Sequence, residues 1–227
     1  MITMNYKPPL VLSRQSQNTI DASIIWLHGL GADGYDFEPI VEQLLQQTHF
    51  AKIRFVLPHA PEMAVTRNNG YIMPAWYDVY GITPISKEDE TGIKASQRYI
   101  NTLIKNEIDA GIASDRIVLA GFSQGGAIAL HTALRFPQKL AGILALSTYL
   151  PLKNSLASEA HAANASTPIF MAHGTFDDVI SLETGQLSRD LLKNQPHVID
   201  WHEYNMAHSL CAKEIADIQD FLQKILP

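Results

Sequence analysis

Short apolar runs alternate with amphipathic stretches along most of the chain. The runs are rich in Val, Ile and Leu, and most stay apolar on both sides before ending in glycine, proline or a polar turn. This pattern is typical of parallel strands that are buried on both faces of a sheet. The predicted strands are PLVLS (9–13, at an edge), SIIWLHG (23–29), IRFVLPHA (53–60), RIVLAGF (116–122), AGILALS (141–147), PIFMAHG (168–174) and HVIDWHEY (197–204).

Helical periodicity fills the segments between these strands. Residues 36–47, 88–109 and 181–193 are amphipathic, and Ser86 is the expected N-cap of the second of these helices. Residues 124–135 are mostly apolar, which predicts a helix packed on the sheet. The alternation favours an α/β fold with a mostly parallel central sheet and helices on both faces. The last helix places five apolar side chains on one face: Ile215, Ile218, Phe221, Leu222 and Ile225.

Two segments interrupt the alternation. Residues 61–85 are aromatic and contain Asn-Asn-Gly and three prolines, whereas residues 148–167 are polar and rich in alanine. Long irregular segments in a compact domain are often functional or mobile. We therefore expect the first of them to lie beside the functional site.

Composition narrows the classes of partner. A length of 227 residues favours one domain over residues 1–227, and a net charge of −6 without a Lys/Arg-rich block argues against nucleic acid and anionic membrane as partners. The single cysteine, Cys211, allows no internal disulfide. The first residues lack a secretory pattern, and the longest apolar stretch is too short to span a bilayer. We therefore expect a cytoplasmic protein with no stable membrane insertion.

The segment GFSQG (121–125) lies where a predicted strand runs into a predicted helix. A G-x-S-x-G sequence in that context indicates a nucleophile elbow, a strained turn that holds the serine hydroxyl above the sheet. Side chains at the flanking glycines would collide with neighbouring backbone, and this explains glycines that would otherwise weaken the helix. Ser123 is therefore the candidate nucleophile.

A serine hydroxyl needs a base, which an acid orients. Asp177 and Asp178 follow a predicted strand, and His208 lies in a loop before the last helix, at the sheet edge where parallel α/β sheets bind ligands. The aspartates could also be turn residues or cap the helix near Ser181. Other histidines compete with His208 for the role of base, namely His197 and His202 at the last strand.

Backbone N–H groups would stabilise a developing oxyanion. Gln124 begins the helix after the serine, where N–H groups have no helical partner, and Leu30 lies in the flexible HGLGADG loop (28–34) at the same level. We expect His28 and His173 to make structural hydrogen bonds. No HExxH motif, paired Cys/His spacing or phosphate-binding glycine loop is present, so neither a metal nor a cofactor is expected.

The chain resembles the phospholipase/carboxylesterase family of α/β-hydrolases, which includes bacterial carboxylesterases and acyl-protein thioesterases. The resemblance rests on five segments in family order: LHGLGADG, LPHAPEMAVTRNNGYIMPAWYDVYG, GFSQGGAIAL, HGTFDDVI and YNMAHSLCAKEIADI. It implies an α/β-hydrolase fold without a large cap domain. Ser181, where the family commonly has proline, and the polar insert before NASTPIF depart from the usual pattern.

The resemblance also implies site residues. These are a triad of Ser123, Asp177 and His208, with Leu30 and Gln124 as oxyanion donors. The loop 61–85 would lie beside an acyl-binding groove, and the aromatic and apolar residues of MPAWYDVYG are the expected substrate contacts. The expected substrate-binding residues are Met73, Trp76, Tyr77 and Tyr80.

The function expected from these residues is that of a serine carboxylesterase acting on short-to-medium acyl esters, thioesters or lysophospholipids. Its partner would be a small acyl ester or an acylated protein. An acyl-protein thioesterase and, from a different class, a non-catalytic binding protein of the same fold are the alternatives. A serine peptidase on this fold is a nearer rival, but it would usually need an additional domain. The sequence leaves open whether the chain forms a homodimer.

Overall fold

A computed structural model describes residues 6–14, 20–81, 86–193 and 197–227 of the chain. Seven strands form one sheet in the order β1-β3-β2-β6-β7-β8-β9; β1 is antiparallel to β3, and every other pairing is parallel. This confirms the predicted mostly parallel sheet and its additional edge strand. The strands are β1 (Leu10–Leu12), β2 (Ala22–Leu27), β3 (Ile53–Leu57), β6 (Ile117–Phe122), β7 (Gly142–Leu146), β8 (Ile169–Gly174) and β9 (Ile199–Tyr204), and β4 (Glu62–Val65) and β5 (Tyr71–Pro74) form a separate hairpin.

Helices cover both faces of the sheet, as the sequence predicts. Because side chains alternate along a strand, β2 directs Ile25 and Leu27 into one core and Ile24 and Trp26 into the other. The helices are α1 (Glu38–Leu45), α2 (Glu90–Asp109), α3 (Gln124–Arg135), α4 (Leu156–Glu159), α5 (Leu182–Lys193) and α6 (Ala212–Ile225). The first core includes apolar residues of α2, α3 and α5, and the second includes those of α1 and α6.

The predicted N-cap of α2 is wrong by three residues. Asp89, not Ser86, caps this helix, and its carboxylate accepts a hydrogen bond from the backbone N–H of Gly92 at 3.0 Å. The same carboxylate accepts a hydrogen bond from the N–H of Asp78 at 3.0 Å. One side chain therefore fixes both the start of α2 and the segment that enters it, which periodicity alone does not reveal.

The segment 61–85 is more regular than predicted. It contains the antiparallel hairpin of β4 and β5, in which Val65 faces Tyr71. Asn69 and Gly70 make the turn in left-handed conformations, with φ of 55° and 76°. Residues 82–85, the last four of this segment, lie outside the described residues. The hairpin places its turn and the chain after it at the edge of the sheet that carries Ser123.

The polar segment 148–167 is held to the body of the protein by a buried asparagine. Asn164 accepts a hydrogen bond from the N–H of Leu140 at 2.9 Å and donates to the carbonyls of Phe136 and Gln138 at 2.8 and 2.9 Å. These bonds satisfy both ends of the amide group, so its burial costs little. In the described part of the chain, no helix is both long and apolar enough to cross a membrane.

Candidate active site

Ser123 occupies the sharp turn between β6 and α3. Its backbone is at φ 54° and ψ −122°, a combination that L-residues rarely adopt and that costs on the order of 1–3 kcal/mol. The Ser123 N–H donates to the carbonyl of Leu146 at 2.8 Å, and the Thr148 hydroxyl donates to the carbonyl of Ser123 at 2.6 Å. Contacts from β7 and the residues after it therefore hold the strained turn in place.

Two glycines let the elbow form. A Cβ atom at Gly121 would overlap the backbone of Gly125, and one at Gly125 would overlap the carbonyls of Leu27 and His28. The start of α3 thus packs directly on the end of β2, with no room for a side chain between them. This close approach agrees with the collision predicted from the sequence.

Asp177 and His208 form the pair expected of the acid and the base. Asp177 Oδ2 lies 2.7 Å from His208 Nδ1, and Asp177 Oδ1 accepts the N–H groups of Val179 and Ile180 at 2.9 and 2.8 Å. The carboxylate is fully buried, whereas the imidazole is 15% exposed. The His208 ring packs against Phe122 with the ring centroids 4.7 Å apart. The neighbouring Asp178 is exposed.

Two other buried histidines serve the loops around the site. His28 Nδ1 is 2.7 Å from the carbonyl of Gly29, its Nε2 accepts the N–H of Ala60 at 3.0 Å, and burial lowers its pKa to about 4. His173 Nε2 lies 2.8 Å from the carbonyl of Ile180, and burial lowers its pKa as well. Both rings are therefore neutral near pH 7. Each makes hydrogen bonds to the backbone, which is the structural role expected from the sequence.

The backbone N–H groups of Leu30 and Gln124 are the two candidate donors to an oxyanion. Next to Leu30, the N–H groups of Gly31 and Ala32 are taken by the carbonyls of Pro74 and Gly29. Within the described ranges, neither Leu30 N–H nor Gln124 N–H has a hydrogen-bond partner. Both residues line the same cavity as Ser123. Two free donors beside a serine hydroxyl are what an oxyanion hole requires.

The Ser123 cavity, as we call it, has a volume of about 340 Å³ and opens to solvent. Its wall is mostly apolar, with two charged side chains, Asp36 and Arg67. A wall of this composition suits an acyl chain attached to a reacting carbonyl group. The cavity is lined by Gly29, Leu30, Ala32, Asp36, Arg67, Tyr77, Val79, Phe122, Ser123, Gln124, Tyr149, Val179, Ile180 and His208.

Of the four expected substrate contacts, the structure brings Tyr77 to this wall and leaves three elsewhere. Trp76 is fully buried behind it, where its indole N–H donates to the carbonyl of His28 at 2.9 Å. Met73 is half-buried in the hairpin, close to Asn68, and the Tyr80 ring faces Lys87. The Trp76 expectation needs correction, because a side chain with no exposed surface cannot contact a substrate in this conformation.

Several wall residues were not predicted from the sequence. Tyr149 follows β7, and its hydroxyl lies 2.7 Å from that of Tyr77; burial raises the pKa of Tyr149 to about 12, so it stays neutral. Val179 and Ile180 come from the loop that carries Asp177. Tyr149 follows the carboxyl end of β7, and Val179 and Ile180 follow that of β8. Their position after the carboxyl ends of parallel strands was the available signal.

In the described part of the chain, no cluster of three or more His, Cys, Asp or Glu side chains is arranged to hold a metal ion. The reactive groups at the Ser123 cavity are a hydroxyl, an imidazole with its carboxylate partner, and backbone N–H groups.

Known proteins are similar to the chain over nearly its whole length. The model of the phospholipase/carboxylesterase family matches residues 11–226. The chain is 42% identical over 235 residues to acyl-protein thioesterase 1 of Neurospora crassa, with 100% of this chain and 95% of that protein covered.

Solved structures are similar over nearly the same extent. Arabidopsis thaliana SOBER1 superimposes with a TM-score of 0.87 at 31% identity, covering 91% of this chain and 100% of that one. Zea mays acyl-protein thioesterase 2 superimposes with a TM-score of 0.85 at 29% identity, covering 98% and 100%. With a family match over almost its whole length, the chain belongs to the phospholipase/carboxylesterase family of α/β-hydrolases, a hydrolase family of serine esterases.

Proposed function

We propose that this protein is a carboxylesterase that hydrolyses short-to-medium acyl esters through an acyl-enzyme on Ser123. The observation that carries the proposal is the 2.7 Å contact between buried Asp177 and the Nδ1 of His208, beside a cavity that Ser123 also lines. A carboxylate in that position fixes the imidazole with its Nε2 free to accept a proton. No cofactor takes part in the proposed reaction.

In the first half of the reaction, His208 accepts the hydroxyl proton of Ser123 while Oγ attacks the carbonyl carbon. The N–H groups of Leu30 and Gln124 donate to the oxyanion, each contributing about 3 kcal/mol to the transition state. Asp177 keeps the proton on Nδ1 and stabilises the imidazolium. The tetrahedral intermediate collapses when His208 protonates the leaving alcohol or thiol.

In the second half, a water molecule replaces the leaving group. His208 removes a proton from this water as it attacks the acyl-enzyme, and the same two N–H groups hold the second oxyanion. Collapse of that intermediate returns the proton to Ser123 Oγ and releases the carboxylic acid. The strained backbone of Ser123 supports this cycle, because a nucleophile elbow exposes the serine hydroxyl above the sheet.

A main role as acyl-protein thioesterase is the second candidate. The Neurospora crassa and Zea mays proteins carry that name, and the first is 42% identical to this chain. The opening of the Ser123 cavity to solvent fits this role, since a protein-bound acyl group needs an accessible entrance. The two activities use the same residues, and the thioesterase would release a cysteine thiol instead of an alcohol.

Replacement of the proposed nucleophile tests both roles. Ser123→Ala should lower kcat/KM for 4-nitrophenyl butyrate by about 10⁴-fold or more, because the triad members act as a unit. A fluorophosphonate probe should label the wild-type protein and not the variant, and circular dichroism should show that the variant is folded. Unlabelled wild-type protein would favour the non-catalytic binding alternative, and a folded variant with over a tenth of the activity would exclude Ser123.

A further inference from the structure

Arg67 is the cationic side chain on the wall of the Ser123 cavity. It lies in a short turn at the end of β4, and its side chain is exposed on the cavity side of the hairpin. The rest of the wall is largely apolar, and Asp36 is its other charged side chain. A guanidinium group in such a place is suited to binding a carboxylate or a phosphate.

The backbone holds Arg67 firmly in position. Its N–H donates to the carbonyl of Val79 at 2.8 Å, which ties the turn to another wall residue. The preceding Thr66 donates to the carboxylate of Asp78 through both its N–H and its hydroxyl, at 2.7 and 2.6 Å. Three hydrogen bonds therefore fix this turn, and the Arg67 side chain extends from backbone that is held in place.

No carboxylate of the protein neutralises Arg67. Within the described ranges its guanidinium has neither an ion pair nor a hydrogen bond, and the segments 1–5, 15–19, 82–85 and 194–196 contain no Asp or Glu in their sequence. The carboxylate of Asp78, which lies against the same turn, accepts both of its hydrogen bonds there from Thr66. The protein has more acidic than basic residues and a net charge of −6, so a cation without an acidic partner is unusual in it.

Asp36 is the other charged group that faces the cavity. Burial and the charge of Asp33 raise its pKa. Among the described residues, Asp36 makes no ion pair with Arg67. A substrate anion at Arg67 would be attracted there without displacing an internal partner.

We infer that Arg67 determines specificity by binding an anionic group, a carboxylate or a phosphate, carried by the substrate. This rests on the proposed function, because it assumes that the substrate reacts at Ser123. The anion can be attached to the far end of the acyl chain or to the leaving group. Both sources present the same chemistry to the guanidinium, so the experiment separates them with two pairs of esters.

The first pair consists of mono-4-nitrophenyl adipate and 4-nitrophenyl hexanoate, which differ by a carboxylate on the acyl chain. The second consists of the butyrate esters of 4-hydroxybenzoate and of its methyl ester, which differ by a carboxylate on the leaving group. The readout is the ratio of kcat/KM for the anionic ester over the neutral one. General effects of a substitution on the cavity cancel in this ratio.

Arg67→Gln should lower this ratio about tenfold for the pair whose carboxylate, on the acyl chain or on the leaving group, reaches Arg67. Arg67→Lys should lower it less, since it keeps the charge and loses the planar fork. The matched control, Arg98→Gln, removes an exposed arginine of α2 that does not line the cavity, and it should leave both ratios unchanged. Added salt should lower the wild-type ratio more than the Arg67→Gln ratio.

Wild-type and Arg67→Gln ratios that agree within twofold for both pairs overturn the inference. Failure of the proposed function looks different, because the neutral esters would then not be hydrolysed by any variant. In that case, Kd values of the same esters for the Ser123→Ala protein, with and without Arg67→Gln, decide the role of Arg67. A tenfold loss confined to the anionic ester supports it, and equal Kd values contradict it.

Discussion

At the scale of single residues, Asp177 and Asp178 are adjacent in the chain and lie in opposite environments. Asp177 is buried and accepts hydrogen bonds from two backbone N–H groups and from His208, whereas Asp178 is exposed. Asp177→Asn should lower kcat/KM for 4-nitrophenyl butyrate by about 10³–10⁴-fold, since an amide favours the wrong imidazole tautomer. The control Asp178→Asn should stay within about twofold of the wild type. A larger loss of activity in Asp178→Asn than in Asp177→Asn would assign the role of the acid to Asp178 instead.

Glu214 is a second buried carboxyl group, outside the proposed mechanism. It has no exposed surface in the first turn of α6, and burial raises its pKa from 4.5 to about 8. Neither carboxyl oxygen has a hydrogen-bond partner among the described residues, and the charge of Asp217 adds to the shift. Glu214 is therefore mostly protonated in the folded protein at pH 7 and ionised in the unfolded chain.

This difference gives Glu214 a defined effect on stability. The stability associated with neutral Glu214 is fully present below pH 4.5 and is lost as the pH rises toward about 8. Glu214→Gln, which stays neutral, should gain stability relative to the wild type by about 1 kcal/mol for each pH unit in this window. Urea unfolding at pH 5 and pH 8 measures the gain, with exposed Glu42→Gln as the control. A difference from the wild type that does not change with pH would contradict this account.

At the scale of elements, the helices and strands that follow from a repeating pattern within one segment were predictable. Features that depend on contacts between distant segments were not. The period of apolar residues gave β6 and α3 nearly to the residue, because both are buried along their length. The same reasoning could not tell Trp76 from Tyr77. Gln124 decides between them, because its amide accepts the N–H of Trp76 and donates to the carbonyl of Tyr77, both at 2.8 Å. That contact spans more than forty residues of chain, beyond the reach of any local pattern.

The contact between α3 and β2 can be tested at Gly125. Gly125→Ala would push a methyl group into the carbonyls of Leu27 and His28, and overpacking against rigid backbone costs about 1–3 kcal/mol. We expect a lower unfolding temperature, together with a loss of activity because Ser123 and Gln124 lie in the displaced turn. In the control, Gly142→Ala, the new methyl group meets chiefly the end of the flexible Ile225 side chain. Equal activity in the two variants would argue against the tight elbow.

At the scale of the whole molecule, the parallel sheet brings the proposed triad together. Ser123 follows β6, Asp177 follows β8 and His208 follows β9, and these strands lie on one side of β2 in the sheet. The alternation of strands and helices predicts the parallel direction of these strands in outline. That direction alone is enough to expect the three side chains at one edge of the sheet. The shape of the Ser123 cavity was less predictable, because Tyr149 and Val179 reach its wall from loops without a motif of their own.

The size of that cavity sets an expected preference for acyl length. Each methylene group buried against its apolar wall contributes about 0.8 kcal/mol, so kcat/KM should rise up to about fourfold per methylene and stop rising when the cavity is filled. Val179→Phe, which adds volume at the wall, should move this limit to a shorter chain, whereas Val11→Phe on the exposed edge strand β1 should not. Steady-state kinetics with 4-nitrophenyl esters from acetate to dodecanoate, and with matched thioesters, locate the limit for each protein. If kcat/KM does not change from acetate to octanoate, the acyl chain lies outside the cavity. If the limit is the same in Val179→Phe and the wild type, the acyl chain passes along another part of the wall.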